Sequence, residues 1–366
     1  MIETLRLRSA IALALLGLSA TASLDAQTTQ LSGPIASTIV ASDPGTGPAD
    51  GYNNPMYLAS RAAGSDFSGI AVLWMRNAGG SVTSGCTGSY LGDGKILTAA
   101  HCVSNGASVT SSSFTARFFQ TGMGWVDVNG TGFAVKSGYS GAVVEENDVA
   151  VLTLGSAAPS FARTYSLAGS STLGAQQTLA GYGLTGTGLT GASVSDNIFN
   201  DGATLRTGLN AFETTCNTAG SCATAANPAP AQFGGILLND FDQSGVSSSG
   251  LMCSGLGFCG AGYGGYSEVG IGPGDSGSAS FNSDWTISGV ASFGQTNSAG
   301  VTGFYGYYAG YTCVANVTGN AGCSSNYDFV ESQLPVVSAT PEPAAVTLMA
   351  TGLLGIVGMA RRRRRA

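Results

Sequence analysis

The stretch Ile271–Ser280, "IGPGDSGSAS", sets Ser276 in a Gly-Asp-Ser-Gly tetrad. A serine hydroxyl is a weak nucleophile at neutral pH, and it becomes an effective one beside a general base that a carboxylate in turn orients. The tetrad alone decides nothing in a chain with 56 glycines among 366 residues, so its chemical partners must be found. The chain contains one histidine, His101, in "ILTAAHCV", at the end of an apolar run and beside Cys102. A lone histidine is more often structural than catalytic, but here it is the only base of its kind available to a serine, in a strand-end setting that would hold it rigidly. For the carboxylate, "EENDVAVLTLG" offers Asp148 immediately before an alternating apolar run. Glu145 and Glu146 are expected on a solvated face, whereas Asp148 stands against buried structure.

These residues lie far apart in sequence, so the elements around them must bring them together. "GIAVLWM" (Gly69 to Met75), "KILTAA" (Lys95 to Ala100), "FTARFF" (Phe114 to Phe119) and "DVAVLTLG" (Asp148 to Gly155) are short β-rich runs separated by Gly and Ser turns. A second set comprises "QTLAGYG" (Gln177 to Gly183), "GGILLNDF" (Gly234 to Phe241), "GSASF" (Gly277 to Phe281) and "WTISGVASF" (Trp285 to Phe293). Two clusters of short strands predict an all-β fold of two antiparallel barrels or sandwiches. "NYDFVESQL" (Asn326 to Leu334) alone predicts a helix, while Leu31 to about Gly64 and Leu184 to Ser195 read as loops.

Charged residues are only 10% of the chain and the net charge is -7. Two of the 14 basic residues, Arg6 and Arg8, sit in the leader and five, Arg361 to Arg365, form the tail. The seven left between make no basic patch, which excludes a nucleic-acid partner. The first 26 residues combine a charged start, an apolar run from Ile11 to Leu18 and small residues near Ala22 and Ala26, as in a secretory signal peptide, and the apolar run is too short to span a membrane. The C-terminus has Pro341-Glu342-Pro343, an apolar run from Ala344 to Ala360 and then five arginines. A plain tail anchor explains the last two features but not the first. Together the three resemble the PEP-CTERM sorting signal of Gram-negative bacteria, which implies an exosortase as partner, transient attachment to the inner membrane through 344–360, and a cell-envelope, cell-surface or extracellular destination.

Export makes a disulfide framework the expected use of eight cysteines. Eight allow 105 pairings, and short spacings suggest sequential partners: Cys86 with Cys102, Cys216 with Cys222, Cys253 with Cys259, and Cys313 with Cys323. Zinc is disfavoured because there is one histidine and no paired C-x-x-C spacing. "DFDQSG", Asp240 to Gly245, resembles the opening of a calcium loop, but the twelfth position, Leu251, lacks a carboxylate and an ordinary turn is expected. No metal or cofactor is predicted.

Four blocks, "CTGSYLGDGKILTAAHCV", "NDVAVLTLG", "GPGDSGSAS" and "GVASFG", resemble the signature segments of the trypsin and chymotrypsin family in the order His, Asp, Ser. The resemblance runs from about Ile70 to Leu334 and implies two six-stranded antiparallel barrels with a short C-terminal helix. "AGYG" (Ala180 to Gly183) resembles the strand that opens the second barrel. The implied domain plan is a signal peptide at 1–26, a leader or pro-segment at 27–64, a protease domain at 65–335 with its inter-barrel boundary near 165–176, and a sorting signal at 336–366. By the same resemblance Ser276 is the nucleophile, His101 the base and Asp148 its orienter, with the Gly274 and Ser276 amides forming the oxyanion hole. Ser292, Phe293 and Gly294 would pair with the substrate backbone, and Gly270 and Gly303 would line an uncharged specificity pocket that favours apolar or small residues. The substrate would be protein or peptide. The rival reading is a non-catalytic binding module on the same fold.

The chain departs from the family in three places. Ser278 stands where a glycine is usual, which costs strain if that backbone needs positive φ. Extra material around Leu184 to Ser249 precedes Ser276. Asp275, which in this family pairs with a newly exposed amino terminus, has no Ile-Val-Gly-Gly segment to meet, only the faint echo "TIVAS" at Thr38 to Ser42. A solitary histidine further predicts a single rising limb of activity with pH.

Overall fold

In the computed structural model the described residues are 39–41, 43, 51–142, 144–194, 198–199, 201–216, 234–243, 268–296 and 301–335. The signal peptide and the sorting signal with its apolar run lie outside them. No helix of the described residues is long and apolar enough to cross a membrane. The chain divides into Met1–Gln333 and Leu334–Ala366, and the elements below belong to the first unit.

The segment expected to be a structureless leader supplies β1 (Val40–Ala41), whose two residues are fully buried, and two short 3-10 turns at Gly51–Asn53 and Pro55–Tyr57. Backbone pairing with strands distant in sequence orders β1, so no local periodicity announced it.

Short runs rich in apolar, β-branched and small residues then form β2 (Ile70–Arg76), β3 (Val82–Gly92), β4 (Lys95–Thr98), β5 (Ser113–Gln120), β6 (Gly124–Val135) and β7 (Ala150–Leu154); burial alternates only in the middle of β6. They close into a barrel in the order β2-β3-β4-β7-β6-β5, which removes sheet edges that would otherwise be open to pairing. Phe114, Phe118, Leu73, Ile96 and Leu97 are fully buried, each contributing about 1.5–3 kcal/mol of apolar burial. Phe114 meets Phe133 edge to face at 5.7 Å between ring centroids.

The second lobe contains β8 (Gln176–Gly181), β9 (Thr185–Thr187), β10 (Gly191–Val194), β11 (Arg206–Ala211), β12 (Thr214–Thr215), β13 (Ile236–Phe241), β14 (Val269–Gly270), β15 (Ala279–Phe281), β16 (Ile287–Gly294) and β17 (Tyr307–Cys313). Seven of them form a sheet in the order β11-β8-β15-β16-β17-β13-β12. This half-barrel differs from the closed six-strand barrel expected here. The Asn210 side chain spans the gap between β11 and β13, donating to the carbonyls of Asp240 at 2.8 Å and Val269 at 2.9 Å. The all-β class with a short helix otherwise holds.

A smaller sheet runs β10-β9-β1-β14. It corrects the expectation of a surface loop at Leu184 to Ser195, where β9 and β10 form a hairpin; glycine and threonine without apolar alternation gave no strand signal. The helix, α1 (Ala321–Ser332), begins five residues before the predicted Asn326, because the Asn320 side chain caps it by accepting from the Cys323 amide at 3.1 Å. Asn326 in α1 is fully buried and donates to the carbonyls of Glu146 and Cys313, tying the helix to the loop that leads to Asp148.

Candidate active site

His101 sits in a 3-10 turn, Ala100–Cys102, directly after β4. The Cys86–Cys102 disulfide fastens that turn to β3, as its spacing predicted. Asp148 is 1% exposed just before β7. Its Oδ1 accepts from the His101 backbone N–H at 2.8 Å and its Oδ2 is 2.7 Å from His101 Nδ1. Burial alone would raise the Asp148 pKa, but the His101 charge, the His101 hydrogen bonds and the Ser292 hydroxyl outweigh it and hold the carboxyl below its ordinary range. An ionised Asp148 fixes the His101 tautomer with the proton on Nδ1 and the lone pair on Nε2. That Nε2 is buried and has no hydrogen-bond partner among the described residues.

Ser276 is half-buried in the turn between β14 and β15. Its carbonyl accepts from the Thr87 amide at 2.9 Å and lies 3.8 Å from Cys102 Sγ, so its segment rests against the disulfide beside His101. Gly277 has φ +82, and a Cβ there would collide with Thr98 Oγ1 and the Thr87 carbonyl, so only glycine lets the turn come this close.

The two amides expected to form an oxyanion hole, those of Gly274 and Ser276, are aimed by their own peptide planes. The Leu184 amide donates to the Pro273 carbonyl at 2.6 Å, and a trans peptide then points the Gly274 N–H the opposite way. The Ser278 amide donates to the Asp275 carbonyl at 2.7 Å and does the same for the Ser276 N–H. Gly274 has φ +95, open to glycine at little cost. Ser278 is not among the described residues with positive φ, which are Asp93 and Trp285 besides glycines; the anticipated strain is absent.

The expected substrate-side residues divide. Ser292 directs its hydroxyl to Asp148 Oδ2, a supporting role that sequence reasoning missed. Thr312 was also missed; its hydroxyl donates to the Asp148 carbonyl at 3.1 Å. Neither role had a sequence signal, since both serve a residue more than a hundred positions away. Phe293 is buried with its ring against Gly310, while Gly294 faces Thr302. Gly270 pairs with Val40 and backs onto the Phe241 ring, and Gly303 packs against the Val40 side chain. We expect Ser292→Ala to keep the fold and lower kcat/KM about tenfold, as loss of one hydrogen bond to a charged group does; steady-state kinetics with a circular dichroism control checks this.

Glu145 and Glu146 are not a solvated face. Glu145 is 5% exposed and accepts from the Ser140 amide and hydroxyl. Glu146 accepts from the Gly235 amide at 3.2 Å. Both brace the loop that presents Asp148, which explains why acids stand there.

Asp275 is fully buried, and its oxygens accept from the Gly183 amide at 2.7 Å and the Gly272 amide at 2.9 Å. Burial pushes its carboxyl up to about 7 against those two hydrogen bonds and the charge of Arg206. Gly181 leaves room for it, since a Cβ there would collide with Asp275 Oδ1. Gly181→Ala should therefore destabilise the protein by about 1–3 kcal/mol, measured by denaturant unfolding.

Cys313–Cys323 pairs as predicted, joining β17 to α1. Cys216 is disulfide-bonded to a partner outside the described residues, and Cys222, Cys253, Cys259 and the Leu251 position of the calcium-loop pattern also lie outside them. One group among the described residues, Cys86, His101 and Cys102, has ligand atoms close enough for a metal, but the disulfide leaves it no thiolate.

A closed β-barrel and a β half-barrel carry a buried aspartate-histidine pair, and the Ser276 turn rests on the disulfide next to that pair, an arrangement that suits a serine hydrolase. The trypsin family profile matches residues 70–269. The chain thus belongs to the trypsin family of serine endopeptidases. The match ends seven positions before Ser276. Similar solved structures include HL collagenase (19% identity over 76% of this chain and 97% of that one, TM-score 0.49), a Glu endopeptidase in complex with MPD (18%, 76% and 94%, TM-score 0.45), and neuropsin, a serine protease expressed in the limbic system of mouse brain (15%, 73% and 95%, TM-score 0.46). No curated protein matches the sequence.

Proposed function

We propose that the chain is an exported endopeptidase in which Ser276, His101 and Asp148 act as a triad. The observation that carries this reading is the ionised Asp148 bonded to both the backbone and the ring of His101, which leaves a buried Nε2 with no partner beside the Ser276 segment. Ser276 Oγ attacks the scissile carbonyl while Nε2 takes its proton, and the resulting oxyanion accepts from the Gly274 and Ser276 amides. Collapse expels the amine with the proton from Nε2 and leaves an acyl-enzyme. Water, deprotonated by the same nitrogen, releases the acid and restores Ser276.

Uncharged Gly270 and Gly303, backed by Phe241 and Val40, support a preference for apolar or small residues on the acyl side of the cut. Cleavage of a peptide library should show it, and dominance of Arg or Lys would reject it. The paired cysteines and the leader support export, and Pro341-Glu342-Pro343 with the segment that follows supports sorting by an exosortase after transient anchoring. Mass spectrometry of the mature protein should place its ends after Ala22 or Ala26 and near the Pro-Glu-Pro; a C-terminus at Ala366 in envelope fractions would reject the sorting step.

Labelling with a fluorophosphonate, the adduct being located by peptide mass spectrometry, tests the triad. An adduct on Ser276 is expected. Folded, disulfide-bonded protein that takes no label would favour the binding-module alternative.

A further inference from the structure

Asp275 precedes Ser276 in the turn that aims both oxyanion-hole amides. Its carboxylate is anchored on Gly183 and Gly272, so whatever holds that carboxylate in place also holds the Pro273–Gly274 and Asp275–Ser276 peptides. Both oxygens accept from N–H groups, which suits an ionised carboxylate. Two neutral amides do not balance a buried charge.

Arg206, at the start of β11, is the register partner of Gly181 in β8. A Cβ built on Gly181 would run into Asp275 Oδ1, so this face of the strand pair looks onto the carboxylate. Directly opposed residues in an antiparallel pair project from the same face. The Arg206 stem therefore rises beside Asp275. Arg206 is 4% exposed, its Nε donates to the Tyr52 carbonyl at 2.9 Å, and its guanidinium lies 5.7 Å from the Tyr52 ring centroid. The charged or titratable groups that act on or feel Asp275 among the described residues are Arg206 from β11 and Tyr311 from β17. Upstream, Ile39 to Ala41 are already buried, with the Ile39 carbonyl accepting from Thr185 Oγ1 at 2.9 Å and β1 paired to β14.

We propose that Arg206 is a positioning residue that supplies the counter-charge of Asp275 from within the fold, so that the oxyanion-hole turn is set without a newly exposed amino terminus at Ile39. The inference rests on the reading of Ser276 as nucleophile. Arginine suits the role because its charge persists at every working pH and its guanidinium is weakly hydrated and tolerates burial.

The test uses the full chain carrying Arg206, Arg206→Met or Arg206→Lys, with each amino terminus read by intact mass spectrometry after assay. Chains that begin upstream of Ile39 should take the fluorophosphonate label and hydrolyse peptide. Arg206→Met should lower kcat/KM about tenfold or more and displace the acid limb of its pH profile upward by about one unit, since removing an opposite charge favours the protonated carboxyl. Arg206→Lys should recover much of both, which a purely packing role would not predict. The proposal is overturned if only chains beginning at Ile39 label, because the amino group is then the counter-charge, or if Arg206→Met retains the parent kcat/KM and pH profile. Should Arg206→Met not fold, the comparison of amino termini and the lysine variant decide the matter alone. If folded protein takes no label whatever its amino terminus, the nucleophile assignment itself has failed, a result distinct from the other two.

Discussion

Ser276→Ala and His101→Ala should each abolish fluorophosphonate labelling and lower kcat/KM about 10⁴-fold or more, while unfolding close to the parent temperature. On the proposed triad the effect is large because the two side chains act as one unit: without Nε2 the hydroxyl keeps its proton, and without Oγ the base has nothing to activate. His101 makes the experiment clean, for the chain holds no second histidine that could substitute. The double variant should be little worse than either single one, since each removes the same step. A label that persists on Ser276 in His101→Ala would show that another group activates it and would reject the assignment.

Asp148→Asn should lower kcat by about 10⁴-fold with Ser276 and His101 in place. An amide at 148 still meets the ring, but it offers a donor where the carboxylate accepted, and His101 is then held in the tautomer whose Nε2 already carries a proton. The same substitution changes the pH dependence of stability. The Asp148 carboxyl lies below its ordinary value in the folded state, so its contribution is present above the unfolded-state pKa and is lost as pH falls through the lower folded value. Thermal unfolding from pH 6 downward should show the parent losing its advantage over Asp148→Asn. An advantage constant across that range would mean that ionisation of Asp148 contributes nothing.

The single histidine led us to expect one rising limb of activity. Asp275 alters that expectation, because burial pushes its carboxyl up to about 7, within the range where His101 alone was anticipated. Its linkage has the opposite sign to that of Asp148: the stabilisation belongs to the protonated form, is complete below the unfolded-state value and is lost as pH rises through about 7. Nothing in "GPGDSGSAS" distinguishes such an aspartate from a solvated one. The shift comes from complete burial of the carboxyl in the fold, which outweighs the Gly183 and Gly272 amides that favour its charge.

Legibility of the chain followed the range of the forces involved. β2, β5 and β7 were readable because strands buried on both faces demand short continuous runs of apolar, β-branched and aromatic residues, and His101, Asp148 and Ser276 stood out because acyl transfer needs particular functional groups. The pairs Cys86–Cys102 and Cys313–Cys323 followed from short loops in an oxidising context. β1, β9 and β10 were hidden, since their stability comes from backbone pairing across the lobe and leaves Gly and Thr free to stand in strands. The half-barrel was hidden too, because whether edge strands β11 and β12 close is settled by contacts between segments far apart in sequence, among them Asn210 reaching carbonyls in β13 and β14. Residue types alone therefore determined the chemistry open to this protein, its β class and its candidate nucleophile and base. Tertiary structure decided which acids are buried, where the Ser292 hydroxyl points and which amides hold Asp275, because burial and electrostatic interaction depend on neighbours that the fold brings together.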